Sequence, residues 1–122
     1  MSSINSKYSF PFHVRDYLAE TRRLNCEQHG MYLLLLLEYW RLDGELNNDD
    51  QELSEIVKLD RKSFDKHIPT VRKMFRIEGD RLRHDGLDAE LVKLKRLQEK
   101  RREGGRIGAK KRWKSKEMLS SD

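Results

Sequence analysis

Asp60-Arg-Lys-Ser-Phe-Asp-Lys-His-Ile-Pro-Thr-Val-Arg-Lys-Met-Phe-Arg-Ile-Glu-Gly-Asp-Arg-Leu-Arg83 is the stretch on which the fold turns. Its first half has helical periodicity. Phe64, Ile68, Val71 and Phe75 are spaced four, three and four apart and form one apolar stripe. Arg61, Lys62, Lys66, Arg72 and Lys73 fall on the other face. Asp60 is placed to cap this helix. Pro69 removes the bond to the Asp65 carbonyl, so a kink or a split is expected there. The second half switches to short alternating runs around Glu78-Gly79-Asp80, a turn signal that predicts a β-hairpin.

Moving outward, a shorter helix precedes it. Asn48 is read as its start with Gln51 at the third position, and Leu53, Ile56 and Val57 form its apolar stripe. Asp49, Asp50 and Glu52 lie in its first turn, where the helix dipole favours anions. The link to the next helix is only Lys58 to Asp60. Upstream, Asn25 and Gln28 form a capping-box pattern that opens a helix ending near Leu42, before Asp43-Gly44. Met31 to Leu37 makes that helix apolar nearly all round, so it must be the central one. Phe10-Pro11-Phe12 reads as extended, followed by a short helix from His13 to Glu20 with Val14, Tyr17 and Leu18 as its stripe. Residues 1–9 are Ser-rich and expected to be loose. Downstream, Leu87, Leu91, Leu94 and Leu97 mark a last helix. It is expected to continue to Glu103 and to break at Gly104-Gly105 before a second basic stretch.

The fold class that follows is mainly α with a small β-hairpin: a winged helix-turn-helix followed by a projecting basic C-terminal helix or tail. The winged-helix domain is expected over 8–97 and the basic extension over 98–122.

The charge is divided along the chain. From Val92 to Asp122 there are twelve Lys and Arg against four Asp and Glu, a net +8, while the first 91 residues hold fourteen against seventeen, a net −3. A basic segment on a compact body suits a polyanion, because counterions released from phosphates favour binding to any sequence. The predicted partner is DNA, duplex or single-stranded. The predicted contacts on the body are Arg61, Lys62, Ser63 and Lys66 on the groove-facing helix, and Arg76, Arg81 and Arg83 on the wing. Those on the tail are Arg101, Arg102, Arg106, Lys110, Lys111 and Arg112, with Trp113 available to stack on a base. Six phosphate contacts alone imply a log–log salt slope of about −5. The competing reading of the basic helix face is plain solvated surface, and the acids that flank it would repel phosphate.

Other functions find little support. The longest apolar run, Met31 to Leu37, is seven residues, against roughly 20 for a membrane span. No signal-peptide pattern is visible. The single Cys26 has no pairing partner, and a cytoplasmic setting in a bacterial host is expected. Cys26 is read as buried packing. His13, His29, His67 and His84 lack a metal-ligand spacing, and Cys26 with His29 supplies only two ligands. Gly104-Gly105-Arg-Ile-Gly108 lacks the Lys-Ser/Thr of a phosphate loop. No enzyme, metal or cofactor is expected.

Phe10-Pro-Phe-His-Val-Arg-Asp-Tyr-Leu-Ala-Glu-Thr-Arg-Arg-Leu-Asn25 and Glu27-Gln-His-Gly-Met-Tyr-Leu-Leu-Leu-Leu-Leu-Glu-Tyr-Trp-Arg41 together resemble the YdaU-like prophage family, a domain of unknown function at the N-terminus of phage replication proteins. Leu82-Arg-His84, Leu87-Asp-Ala-Glu-Leu91 and Gly105-Arg-Ile-Gly-Ala-Lys-Lys-Arg-Trp113 also look like the family, so the resemblance covers about residues 8–113. It implies a winged-helix domain in DNA replication, similar to replisome organisers that recruit a host helicase or helicase loader. Longer members continue past the basic segment into a further domain, where that contact is expected. Phe12, His13, Tyr17, His29 and Tyr32 are read as packing around the central helix, with His13 and His29 bonding it to the entry segment. Two rival functions stay open: a phage adaptor or inhibitor binding a host protein through the acidic third helix, and a winged-helix transcriptional regulator. Oligomeric state is open as well.

Overall fold

The computed structural model describes the backbone of residues 9–120 and the side chains of residues 9–105. The expectation for residues 1–8 lies outside the described residues. Five helices and a small antiparallel sheet follow one another among the described residues: α1 Val14–Glu20, α2 Cys26–Arg41, β1 Leu46–Asn47, α3 Asp50–Val57, α4 Arg61–Arg72, β2 Arg76–Glu78, β3 Arg81–Arg83 and α5 Asp85–Ser120. The chain divides into two compact units, Met1–Leu91 and Val92–Asp122.

α2 is the centre of the first unit and packs on α3 and α4. Its capping box forms as the sequence predicts: the Asn25 side chain accepts from the Gln28 N–H at 2.9 Å, and Gln28 Oε1 accepts from the Asn25 N–H at 3.0 Å. Met31, Tyr32, Leu35, Leu36, Tyr39 and Trp40 are buried, while Leu37 is exposed. The stripe is buried in full: Phe64, Ile68 and Val71 of α4 and Phe75 just past its end are all in the core, as are Leu53 and Val57 of α3. Fully burying one such side chain stabilises the fold by roughly 1.5–3 kcal/mol.

α2 ends where glycine is needed. Asp43 and Gly44 both take positive φ, 55° and 84°. The Gly44 N–H donates to the Tyr39 carbonyl at 2.9 Å. A Cβ on Gly44 would lie 3.3 Å from both Asp88 Oδ1 and the Tyr39 hydroxyl. The positive φ strains any side chain there, and the close approach adds crowding against it.

The hairpin forms as expected, with Gly79 at φ 61° as the first of two turn residues, the position that type II′ turns reserve for glycine. The sheet has a third strand that the sequence reading omits. β1 pairs antiparallel with β3 (Leu46 opposite Leu82), and β2 pairs with β3 on its other side (Ile77 opposite Leu82), giving the order β1-β3-β2. Leu46 and Leu82 are buried, and Ile77 at the sheet edge is 56% exposed. A strand of two residues, Leu46 and Asn47, is too short to show an alternating pattern.

Several expectations are corrected. The N-cap of α3 is Asp49, whose carboxylate accepts from the Glu52 N–H at 3.0 Å. Asn48 instead accepts from Arg72 Nε at 3.0 Å, a partner 24 residues away that local capping rules do not foresee. α4 runs unbroken through Pro69. Pro69 and Asp65 both lie on the exposed side, so the carbonyl that loses its partner is open to water. α5 continues through Gly104-Gly105. Each glycine costs only about 1 kcal/mol in a helix, and the flanking residues are good helix formers. α1 buries none of its residues: Val14 and Leu18 are 58% and 60% exposed, and only Tyr17 turns inward. Cys26 is exposed, because it is the first residue of α2 and follows directly on the cap.

Candidate nucleic-acid interface

α3 and α4 are joined by Lys58, Leu59 and Asp60, with Lys58 at φ 58° closing α3 in the left-handed region. Asp60 then caps α4 by accepting from the Ser63 N–H at 3.1 Å. Bonds from the Ser63 side chain and backbone hold its carboxyl below the ordinary range. The first turns of α4 therefore present Arg61, Lys62, Ser63 and Lys66 in one fixed frame.

These four are not equivalent. Arg61 is held by two acids, with Nε donating to Asp65 at 2.9 Å and a second nitrogen to Asp50 at 3.3 Å, and it lies over the Phe64 ring at 5.7 Å. Its pKa is raised, first by the Asp65 bond. Ser63 is half-buried, while Lys62 and Lys66 are exposed and pair with no acid among the described residues. Being four apart, they share one helix face. The body's open cations on α4 are thus this pair, together with Lys73 just past its end.

The hairpin arginines are all engaged, in two ways. Arg76 bonds Asp85 at 3.0 Å and Glu78 at 2.7 Å, and its pKa is raised, chiefly by Asp85. Arg81 pairs with Glu45. Both pairs sit in solvent, with the arginines 52% and 38% exposed and their acids above 60%. Such solvated pairs add little to stability, so phosphate can displace them at little cost. Arg83 differs. At 27% exposure it donates to Asp88 at 2.9 Å and to the Gly44 carbonyl at 2.8 Å, and it lies over the Tyr39 ring at 6.0 Å. It ties the sheet to the end of α2 and the start of α5, which is a structural task.

On the basic segment, Arg101 and Arg102 are exposed on α5. Arg106, Lys110, Lys111, Arg112 and Trp113 follow on the same helix, and their side chains lie outside the described residues.

The residues read as packing form a polar network within that packing. Tyr17 and His29 meet at 3.0 Å, Tyr32 and His84 at 2.9 Å, and the Tyr39 hydroxyl donates to Asp88. Burial, and then the bond to Asp88, pushes Tyr39 up to about 12. Phe12 packs on Tyr17 in a tilted arrangement with centroids 4.8 Å apart yet remains 45% exposed. His29 reaches α1, and His13 reaches Glu90 of α5 at 3.2 Å; neither bonds α2 to the entry segment. α1 lies between that segment and His29 in the chain and takes the bond.

His84 has a determined tautomer. The Leu87 N–H donates to its Nδ1 at 3.1 Å, so Nδ1 carries no proton and His84 caps α5. The ring proton of neutral His84 is on Nε2 and is donated to the Tyr32 oxygen. Burial lowers the His84 pKa, outweighing the carboxylates of Glu20, Asp88 and Asp85 that raise it. A histidine with a depressed folded pKa stabilises the fold above its unfolded pKa and loses that contribution as pH falls through the folded value. The thermal midpoint should therefore drop more between pH 7.5 and pH 5 in the parent than in His84→Asn, whose amide oxygen keeps the cap but does not titrate. Equal drops would show that His84 carries no such linkage.

Sequence reasoning passed over Lys73 as a site residue and did not see the Tyr32–His84 pair. The two are 52 residues apart, and the only trace is that they lie in two of the motif stretches that carry the family resemblance.

A family model described as a protein of unknown function (DUF1376) matches residues 7–92, more than half of the chain. The uncharacterized protein YdaU of Escherichia coli (strain K12) is 27% identical over 105 residues, covering 86% of this chain and 36% of that protein. The chain thus spans little more than a third of the relative's length. No solved structure matches the chain. No helix among the described residues is long and apolar enough to cross a membrane, and no group of three metal-ligating side chains occurs among them.

Proposed function

The chain belongs to the DUF1376 family of proteins of unknown function, and we propose that it is a winged-helix nucleic-acid-binding protein acting in phage or prophage DNA replication in the cytoplasm of a bacterial host. The element order supports the fold reading. α2, β1, α3 and α4 are followed by the β2–β3 hairpin, with the short β1 pairing onto β3. Two helices joined by a three-residue turn and then a hairpin are the parts of a helix-turn-helix with a wing. α4 is then the groove-facing helix, β2–β3 is the wing, and the basic segment adds phosphate contacts without sequence preference. No catalytic role is part of this proposal. The replication setting rests on the sequence resemblance to a prophage family, and contact with a host helicase or its loader is the accompanying proposal.

One observation carries the DNA reading. Lys62 and Lys66 stand open on one face of α4 while every arginine of the hairpin is paired. Reversing both to Glu, with the basic segment intact, should weaken binding to a 20-base-pair duplex by at least about tenfold at 100 mM salt, since each lost phosphate contact and each new repulsion acts on affinity. Fluorescence anisotropy measures it. An unchanged affinity would leave only the basic segment as the anchor and count against α4.

A second reading draws on a groove of about 470 Å³ between the end of α2, β1 and α3, lined by Glu38, Glu45, Glu52 and Glu55 with Leu42, Leu46 and Ile56, and by Arg41, which pairs with Glu38. An adaptor for a basic host protein would use it. Under that reading the Lys62 and Lys66 reversal leaves DNA affinity unchanged, and charge reversal in the groove abolishes capture of the host protein.

A further inference from the structure

An open cleft of about 450 Å³ lies at the far end of α4 from Lys62, between the α4–β2 turn, the end of α1 and the start of α5. Its volume is in the range of small-ligand sites. Among the described residues, one of its lining groups has a hydrogen bond left to make and two have no partner. Tyr32 is only 1% exposed, and its oxygen accepts from His84 Nε2, which leaves the hydroxyl hydrogen without an acceptor. A buried donor left unmade is costly and calls for an explanation. Glu20, at the end of α1, is an exposed carboxylate with no hydrogen bond or ion pair; its charge is felt by both Tyr32 and His84. Lys73 is an exposed ammonium that forms no ion pair among the described residues. Met74 and Phe75 add an apolar wall.

We infer that this cleft binds a nucleotide, with the base edge accepting from the Tyr32 hydroxyl and donating to Glu20, the base against Met74 and Phe75, and the phosphate on Lys73. The groups match that ligand class. Every nucleobase presents adjacent donor and acceptor atoms on its pairing edge, and that edge is free only when the base is unpaired. A ligand with a flat apolar body, one donor, one acceptor and one anion meets each of the three groups once. The lining also holds Arg83 and the Arg76–Asp85 pair, so a bare metal ion would face three cations against the carboxylates of Glu20 and Asp85, and a bare phosphate would leave both carboxylates opposed to it. The site is separate from the α4 face and does not require duplex binding there. Its ligand is a free nucleotide or an unpaired base of a strand.

Ligand-observed NMR titrations of the full chain at about 150 mM salt test it, using nucleoside 5′-monophosphates, the corresponding nucleosides, inorganic phosphate and a single-stranded hexamer. Nucleotides should bind. Tyr32→Phe should weaken them about tenfold through the lost hydrogen bond. Lys73→Ala, an exposed change that spares the fold, should lower nucleotide affinity to that of the nucleoside, and Glu20→Gln should weaken both. Lys62→Glu with Lys66→Glu should leave mononucleotide binding unchanged, which separates this site from the α4 reading. Sensitivity of the hexamer to the cleft variants identifies an unpaired base as the natural ligand; sensitivity confined to mononucleotides identifies a free one. No binding at millimolar nucleotide, binding of inorganic phosphate alone, or nucleotide binding indifferent to Lys73→Ala and Glu20→Gln would overturn the inference.

Discussion

Replacing Arg101, Arg102, Arg106, Lys110, Lys111 and Arg112 with Gln should flatten the salt dependence of duplex binding by about five units of log–log slope and cost roughly a thousandfold in affinity at 50 mM salt. The expectation follows from the charge division, a net +8 after Leu91 against −3 before it. A slightly acidic body gains little from the field of a polyanion, so most of the free energy of counterion release must come from the basic segment. Gln keeps helix propensity close to that of Lys and Arg, so α5 should persist, and circular dichroism checks this. The slope is the telling quantity. A smaller affinity with an unaltered slope would mean that these residues act on folding or solubility and make no phosphate contacts.

The largest effect on stability should come from Phe64→Ala. Phe64 is fully buried on α4, and that helix packs on α2. Truncating a buried Phe costs about 3–5 kcal/mol in lost transfer energy and residual cavity. Domains of this size have about 5–15 kcal/mol in all. A shift of about 4–8 °C per kcal/mol puts the thermal midpoint down by at least roughly 12 °C. The same change should also weaken duplex binding, because the cations of α4 lose their frame. Calorimetry and anisotropy on one preparation measure both. A midpoint shift of only a few degrees would mean that α4 is not held on α2 as described.

What the sequence disclosed, it disclosed through periodicity and local capping. The Phe64, Ile68, Val71 and Phe75 stripe, the Asn25–Gln28 box and the Gly79 turn are each written within about a dozen residues, and each appears in the structure. The features that escaped depend on partners distant in the chain. β1 exists because Leu46 meets Leu82, the α3 cap moves to Asp49 because Arg72 claims Asn48, and Tyr32 meets His84 across 52 residues. Two rules proved too strong. Proline and paired glycines lower helix stability without ending a helix, and α4 and α5 run through them. The candidate interface was legible as composition but not as availability. Arg83 and Lys62 look alike in the sequence; the structure engages the first with Asp88 and the Gly44 carbonyl and leaves the second open.

Amide chemical shifts of the full chain, recorded with and without a 20-base-pair duplex at 50 mM salt, test most directly whether α4 and the basic segment hold DNA together. The account predicts perturbation of residues 61–66 and 76–81 alongside the basic segment. Perturbation confined to residues after Leu91, or no perturbation at all, would contradict it.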